Sequence, residues 1–283
     1  MTKPAIGAWL GTTWAPHEVL AVAGEAEAAG FDSVWLADHF MANTGTEKVS
    51  DRGNLECFGM LPGIAAAVPR VRLGSLVASI TFRHPAVLAN IAATVDGIAS
   101  GRLVLGVGAG WQLNEHAAYG LPLGPVRDRI DRFEEGLQVL TGLLRSDSTT
   151  VAGEHYTVTG APIVTRPGAA RTPILIGASG EKRMLGVVAR YADEWNCWST
   201  PELFAHKSRV LDEHCERIGR DPREIRRSTQ AMLEIDGEGT GAGSAVVSGS
   251  VAQIVDTIGQ WSDARVDEAI VPGIRGTADE GRR

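Results

Sequence analysis

Eight short apolar runs, most of them followed by a stretch of helical periodicity, leave this chain few architectures to choose from. The runs are Ala5–Leu10, Ser33–Ala37, Val71–Ala78, Leu103–Val107, Ile174–Gly177, Glu194–Trp198, Ser228–Ile235 and Glu268–Val271. Short, mostly apolar segments bounded by turn residues read as strands buried on both faces of a parallel sheet. Helical patterns fill the gaps at His17–Ala29, Glu56–Ala67, Ala86–Ala99, Arg127–Leu144, Glu181–Tyr191, Pro201–Ile218 and Val251–Ser262. Repeated βα units imply parallel strands with right-handed crossovers, and eight of them close into a (β/α)8 TIM barrel. A doubly wound open sheet is the competing arrangement. The length of 283 residues suits one barrel domain better than two small domains.

Two stretches interrupt the alternation. Residues 145–172 alternate polar and β-branched character (Thr149, Val151, His155, Tyr156, Val158), which reads as a hairpin-like insertion after the fourth helix. Asp236–Ser250 is rich in Gly, Ser and Ala and reads as a loop at the barrel top, either a lid or plain disorder. Behind the last strand only a short tail, about 275–283, remains, so the eighth helix is truncated or supplied differently. No apolar run approaches the roughly 20 residues of a membrane span, and the first residues lack the pattern of a signal peptide. Cys57, Cys197 and Cys215 are widely spaced with no metal-ligand pattern, so free thiols in a reducing cytoplasm are expected and no metal site is. A net charge of −7 argues against nucleic acid or an anionic membrane as partner and leaves a small molecule.

In parallel α/β folds ligands bind at the C-terminal strand ends, and here those ends carry unusual chemistry. The second strand runs into Asp38-His39, an acid beside an imidazole, which serves either as a structural pair or as a proton relay. After the third strand, Arg83 and His84 read as a solvent-facing loop, and Pro85 starts the next helix. The fourth strand ends in Gly106-Val107-Gly108-Ala109-Gly110-Trp111. Its glycines permit close approach of a flat ligand or a neighbouring strand, and Trp111 reads as a pocket wall or a core residue. The fifth ends in Gly177-Ala178-Ser179-Gly180, directly ahead of a helix expected from Glu181, where free amides favour a phosphate and Ser179 doubles as a simple N-cap. Trp9 and Trp14, with Trp198 after the sixth strand, gather at one barrel mouth as a pocket for a planar cofactor and an apolar substrate. There is no Gly-x-Ser-x-Gly elbow, His-Glu-x-x-His or P-loop.

Taken in order and spacing, Ala-Gly-Phe-Asp-Ser-Val-Trp-Leu-Ala-Asp-His-Phe, Arg-Val-Arg-Leu-Gly-Ser-Leu-Val, Thr-Phe-Arg-His-Pro-Ala, Gly-Arg-Leu-Val-Leu-Gly-Val-Gly-Ala-Gly-Trp and Pro-Ile-Leu-Ile-Gly-Ala-Ser-Gly resemble the luciferase-like monooxygenase superfamily, from Ile6 to about Val271. Asp-His after the second strand is similar to its coenzyme F420-dependent oxidoreductase branch. That resemblance implies hydride transfer between the deazaflavin and an organic substrate, with FMN and oxygen chemistry as the alternative cofactor reading and a binding protein of little turnover as the alternative class. It implies His39 as the proton handler, with Asp38 on the ring, and a non-prolyl cis peptide at Leu76–Val77 behind the ring. It also implies cofactor contacts from Ser79, Gly108, Ala109, Gly110 and Trp111, a phosphate loop at Gly177, Ala178, Ser179 and Gly180, and a homodimer formed through the helices after the second and third strands. Two positions depart from the glucose-6-phosphate dehydrogenases of that branch. Trp111 stands where they carry an acid, and Asn43 stands where they carry a tryptophan. Both weaken a sugar-phosphate substrate.

Overall fold

In a computed structural model, residues 3–162, 171–235 and 246–272 are described below. In chain order the elements are β1 (Ala5–Leu10), α1 (Pro16–Ala28), β2 (Ser33–Leu36), α2 (Cys57–Ala67), β3 (Arg72–Ser75), β4 (Ala78–Ser79) and α3 (Pro85–Ile98). There follow β5 (Leu103–Gly108), α4 (Leu113–Ala118), α5 (Val126–Arg145), β6 (Ser148–Ala152), β7 (Thr157–Pro162), β8 (Ile174–Gly177) and α6 (Met184–Tyr191). The last are β9 (Glu194–Trp198), α7 (Pro201–Arg217), β10 (Arg226–Gln230), β11 (Met232–Ile235), β12 (Val246–Gly249), α8 (Val251–Asp263) and β13 (Glu268–Pro272).

The main sheet runs β3-β2-β1-β13-β10-β9-β8-β5-β4, and β3 also pairs with β5, which closes it. Every pairing within it is parallel. Because β3 and β4 make one interrupted stave, the result is the eight-stave TIM barrel expected from the alternation. Inside lies a small core of Trp35, Leu76, Val104, Leu175 and Ile270, while the larger core fills the layer between staves and helices. At the N-terminal strand ends the buried carboxylates of Glu268 and Glu194 pair with the half-buried Arg72 and Arg226, and Ser33 and the Trp35 indole are hydrogen-bonded to Glu268. That end is plugged, so the open end is the one where the strands finish.

Two strand expectations need correction. Val71–Ala78 is not continuous: the chain leaves the sheet after Ser75, passes a cis Leu76–Val77 peptide and rejoins at Ala78. Ser228–Ile235 is also split. Its first part belongs to the barrel, whereas Met232–Ile235 pairs in parallel with Val246–Gly249 in a separate two-stranded sheet. In Val71–Ala78 apolar content continues across the break, and in Ser228–Ile235 no turn residue separates Gln230 from Met232, so neither local pattern marks the change of partner. The expected loop at 236–250 lies largely outside the described residues, apart from β12, and the tail at 275–283 lies wholly outside them. Between α5 and β8, β6 and β7 form an antiparallel hairpin. The Glu135 carboxylate on α5 accepts from the backbone amides of Glu154 and His155 in its turn, tying the hairpin to the barrel.

Candidate active site

The plugged barrel opens at its C-terminal end into a cavity of about 890 Å³. Of the residues singled out from sequence, His39, Leu76, Val77, Ser79, Gly108, Ala109, Gly110, Trp111, Gly177, Ala178, Ser179, Gly180, Trp9 and Trp198 all line it. Asp38 and Trp14 do not. Trp14 folds back over Gly11, where a Cβ would meet its ring at 2.4 Å, and packs on the core.

Asp38 is buried behind the wall and makes a bidentate pair with Arg83, at 2.7 and 2.9 Å, while accepting from the Ser79 amide at 3.2 Å. Arg83 is therefore no solvent-facing loop residue: it also pairs with Glu56, the N-cap of α2, and lies over the Phe58 ring. Burial alone would lower the Arg83 pKa, but Asp38 and Glu56 outweigh it and hold the guanidinium charged. Burial pushes the Asp38 carboxyl above its ordinary value against the pull of Arg83. The acid of the Asp-His pair thus anchors the strand ends and is not a wall of the cavity. His84 is exposed, as expected, and caps α3 through Nδ1.

His39 takes its carboxylate from elsewhere. Its Nδ1 lies 2.7 Å from Oε1 of Glu115, a fully buried residue on α4, whose Oε2 accepts from the Phe40 amide at 2.8 Å. The same short helix and its N-cap hold the next two peptide units, since Gln112 donates to the Met41 carbonyl and Asn114 to the Ala42 carbonyl, each at 2.9 Å. A carboxylate only accepts, so neutral His39 carries its proton on Nδ1 and presents the Nε2 lone pair. Nε2 has no partner among the described residues. The Trp111 indole stands edge to face against the His39 ring, with centroids 5.5 Å apart. Neither α4 nor the role of Glu115 was legible in the sequence. The available signal was three polar residues, Gln112, Asn114 and Glu115, in a segment too short to show a solvent-facing stripe.

A second hydrogen-bond chain fixes the polarity of Ser79. His116 Nδ1 faces the Gln112 carbonyl at 2.6 Å, so it must donate there. Burial lowers the His116 pKa, which keeps the ring neutral and leaves Nε2 as an acceptor for Thr81, 2.6 Å away. Thr81 then accepts from Ser79 at 2.6 Å, and the Ser79 oxygen offers the cavity lone pairs only.

Around the cis peptide the fit is tight. A Cβ on Gly106 would come within 2.0 Å of the Ser75 carbonyl, and Cβ atoms on Gly108 or Gly177 would meet the Val77 methyls at 2.9 and 3.0 Å. Val77 therefore presses outward between two bare backbones and gives the cavity a firm apolar floor. The expectation of a phosphate loop at Gly177–Gly180 needs two corrections. Ala178 lines the cavity but spends its amide on the Asn196 carbonyl at 3.0 Å, which leaves Ser179 and Gly180 with amides unpartnered among the described residues. The helix begins at Met184 and not at Glu181, after a turn. Arg129 on α5, missed in the sequence, lines the cavity too, donating to the Gly110 carbonyl at 2.7 Å with a buried, unpartnered Nε.

The barrel, the strand interruption at Leu76–Val77 and the strand-end cavity define a class of (β/α)8 proteins, and comparison with known proteins names it. The model of the luciferase-like monooxygenase family matches residues 1–238, and the chain belongs to that family. It is 31% identical over 230 residues to an F420-dependent glucose-6-phosphate dehydrogenase of Amycolatopsis mediterranei, covering 78% of this chain and 66% of the relative. It is 35% identical over 227 residues to one of Microbacterium testaceum, covering 78% and 63%. The match therefore spans slightly less than two thirds of these relatives' length. An F420-dependent secondary alcohol dehydrogenase shares the fold at a TM-score of 0.84 with 19% identity, over 96% of this chain and 93% of that one. A coenzyme F420-dependent tetrahydromethanopterin reductase from Methanopyrus kandleri does so at 0.78 with 18% identity, over 95% and 93%. At these identities the likeness concerns the fold alone. Among the described residues no group of metal-ligating side chains is present, and no helix is long and apolar enough to cross a membrane.

Proposed function

We propose that this protein is an F420-dependent oxidoreductase that moves a hydride between the deazaflavin and an organic substrate. The observation that carries the reading is His39, held by Glu115 with one ring nitrogen committed and the other left to the cavity. The curated relatives, named as F420-dependent dehydrogenases, support the choice of cofactor.

The residues present fit such a group. Val77 offers a flat apolar seat between Gly108 and Gly177, and Ser79 offers an acceptor to a ring N–H. Ser179 and Gly180 supply free amides for a phosphate, and Arg129 supplies a cation at the Gly110 side. When bound, the deazaflavin supplies the carbon that accepts or gives a hydride. The chain's part is to orient, to exclude water with Trp9, Trp111 and Trp198, and to move a proton at His39 Nε2. In the oxidising direction neutral His39 takes a substrate hydroxyl proton at Nε2, and Glu115 stabilises the imidazolium. In the reducing direction the proton returns by the same atom. Removal of the His39 imidazole, with turnover and cofactor affinity measured separately, tests this role.

The protein is further proposed to act as a homodimer through α2 and α3. Their outer faces combine small exposed residues, Gly63, Ala66 and Ala67, with exposed Val87 and Ile98. Light scattering at micromolar concentration decides this, since a monomer refutes it.

A further inference from the structure

The loop that follows β8 is held from behind, on the side away from the cavity. The carbonyls of Ala178, Ser179, Gly180 and Glu181, four in a row, each accept a hydrogen bond. The donors are Trp195 Nε1 at 2.9 Å, Lys207 Nζ at 2.8 Å, the Leu185 amide at 3.0 Å and His214 Nε2 at 2.7 Å. His214 donates through Nε2 because its Nδ1 accepts from Arg217 at 2.7 Å. Lys207 and His214 stand on α7, and Phe204 of the same helix stacks on the Trp195 ring with centroids 5.0 Å apart. Among the described residues lining the cavity there is neither Trp195 nor any residue of α7, whereas Ala178, Ser179 and Gly180 do line it.

The direction of the amides follows from these anchors. A trans peptide is planar, so the N–H of each residue points opposite to the carbonyl before it. With the Ala178 and Ser179 carbonyls turned back to Trp195 and Lys207, the Ser179 and Gly180 amides are turned away from α7. Both residues are exposed and line the cavity, and neither amide has a partner among the described residues. Amides fixed before a ligand arrives need no ordering when it binds, which favours an anion over the same amides on a loose loop. Lys207 also pairs with Glu181 at 3.0 Å, so its charge is compensated and it serves the Ser179 carbonyl as a donor.

We propose that Lys207 is a positioning residue for anion binding, which aims the Gly180 amide into the cavity by holding the Ser179 carbonyl from α7. The proposal rests on the reading that these amides hold the cofactor phosphate. It is tested with inorganic phosphate, whose binding does not depend on the identity of the cofactor. In an amide-resolved NMR titration of the purified wild-type protein, phosphate is expected to move the Ser179 and Gly180 resonances. The Ala178 resonance is expected to move much less, its amide being bonded to the Asn196 carbonyl. Lys207→Met keeps the stem and removes the donor, and Lys207→Ala removes both. Each is expected to weaken phosphate binding about tenfold or more. Both also take the lysine partner from Glu181, so Lys207→Met combined with Glu181→Gln restores the wild-type net charge. This double variant is expected to bind phosphate as weakly as Lys207→Met, because the carbonyl is still unheld. Recovery of wild-type affinity in it overturns the proposal, since charge alone then explains the loss. So does wild-type affinity in either single variant, or a wild-type titration that leaves both amides unmoved. A parallel F420 titration keeps the two claims apart. Wild-type protein that binds phosphate at these amides but does not bind F420 sinks the oxidoreductase reading, and the Lys207 variants still decide the anchor.

Discussion

His39 is usable because Glu115 holds one of its nitrogens. His39→Ala is expected to lower turnover by roughly 10²-fold or more, with cofactor affinity changing much less because the phosphate cradle proposed at Ser179 and Gly180 is elsewhere. Glu115→Gln tests the support. Its amide cannot accept from both His39 Nδ1 and the Phe40 amide, as the carboxylate does. A loss of roughly tenfold in turnover with KM little changed is expected in steady-state assays. His116 gives a pH signature. Its folded pKa lies below the ordinary 6.5, so the unfolded chain binds more protons between the two values. The resulting stability is present in full above about 6.5 and is lost as pH falls toward the folded value. Denaturant titrations across that range are expected to show it in wild type and to lose that part of the slope in His116→Gln. At this scale the sequence was only partly readable. His39 stood out because it follows a strand, whereas its partner comes from a helix that brings Glu115 back across 76 residues, a separation no local pattern reports. Asp38 was misassigned for the same reason: adjacency in sequence suggested a pair, but the side chain points to Arg83.

The interrupted stave of β3 and β4 and the loop after β8 are the elements that shape the cavity. Gly106→Ala forces a Cβ against backbone, which has little freedom to move, and is expected to destabilise the fold by about 1–3 kcal/mol or more. A lowered melting temperature by calorimetry is the readout. Gly180 lies in open surroundings, where a Cβ would meet only Met184 at 3.6 Å. Gly180→Val is therefore expected to leave melting unchanged while weakening cofactor binding, and unchanged affinity in a folded variant places the phosphate elsewhere. Most staves were legible because a strand buried on both faces is a short apolar run. The breaks within Val71–Ala78 and Ser228–Ile235 were not, because leaving a sheet is decided by which strand lies alongside. α4 was hidden by its length of six residues, less than two turns.

At the scale of the whole molecule, the barrel separates stability from chemistry. The N-terminal end is closed by the ionic cluster around Glu268, and the C-terminal end holds a cavity whose two halves differ in kind. The side of β4, β5 and β8 offers bare backbone, free amides and a cation, while the side of β1, β9 and β10 offers indoles and an uncharged amide. His39, after β2, stands between them on the barrel's circumference. The alternation of eight strand runs with seven helical patterns dictated this arrangement before any side chain was considered, which is why the fold and the strand-end location of the site were readable from sequence. The measurement that bears most directly on the account is a titration of the purified apo-protein with F420 and with FMN under one set of conditions. F420 is expected to bind more tightly by about tenfold or more, or 1.4 kcal/mol. FMN binding more tightly than F420 by that margin would contradict the assignment.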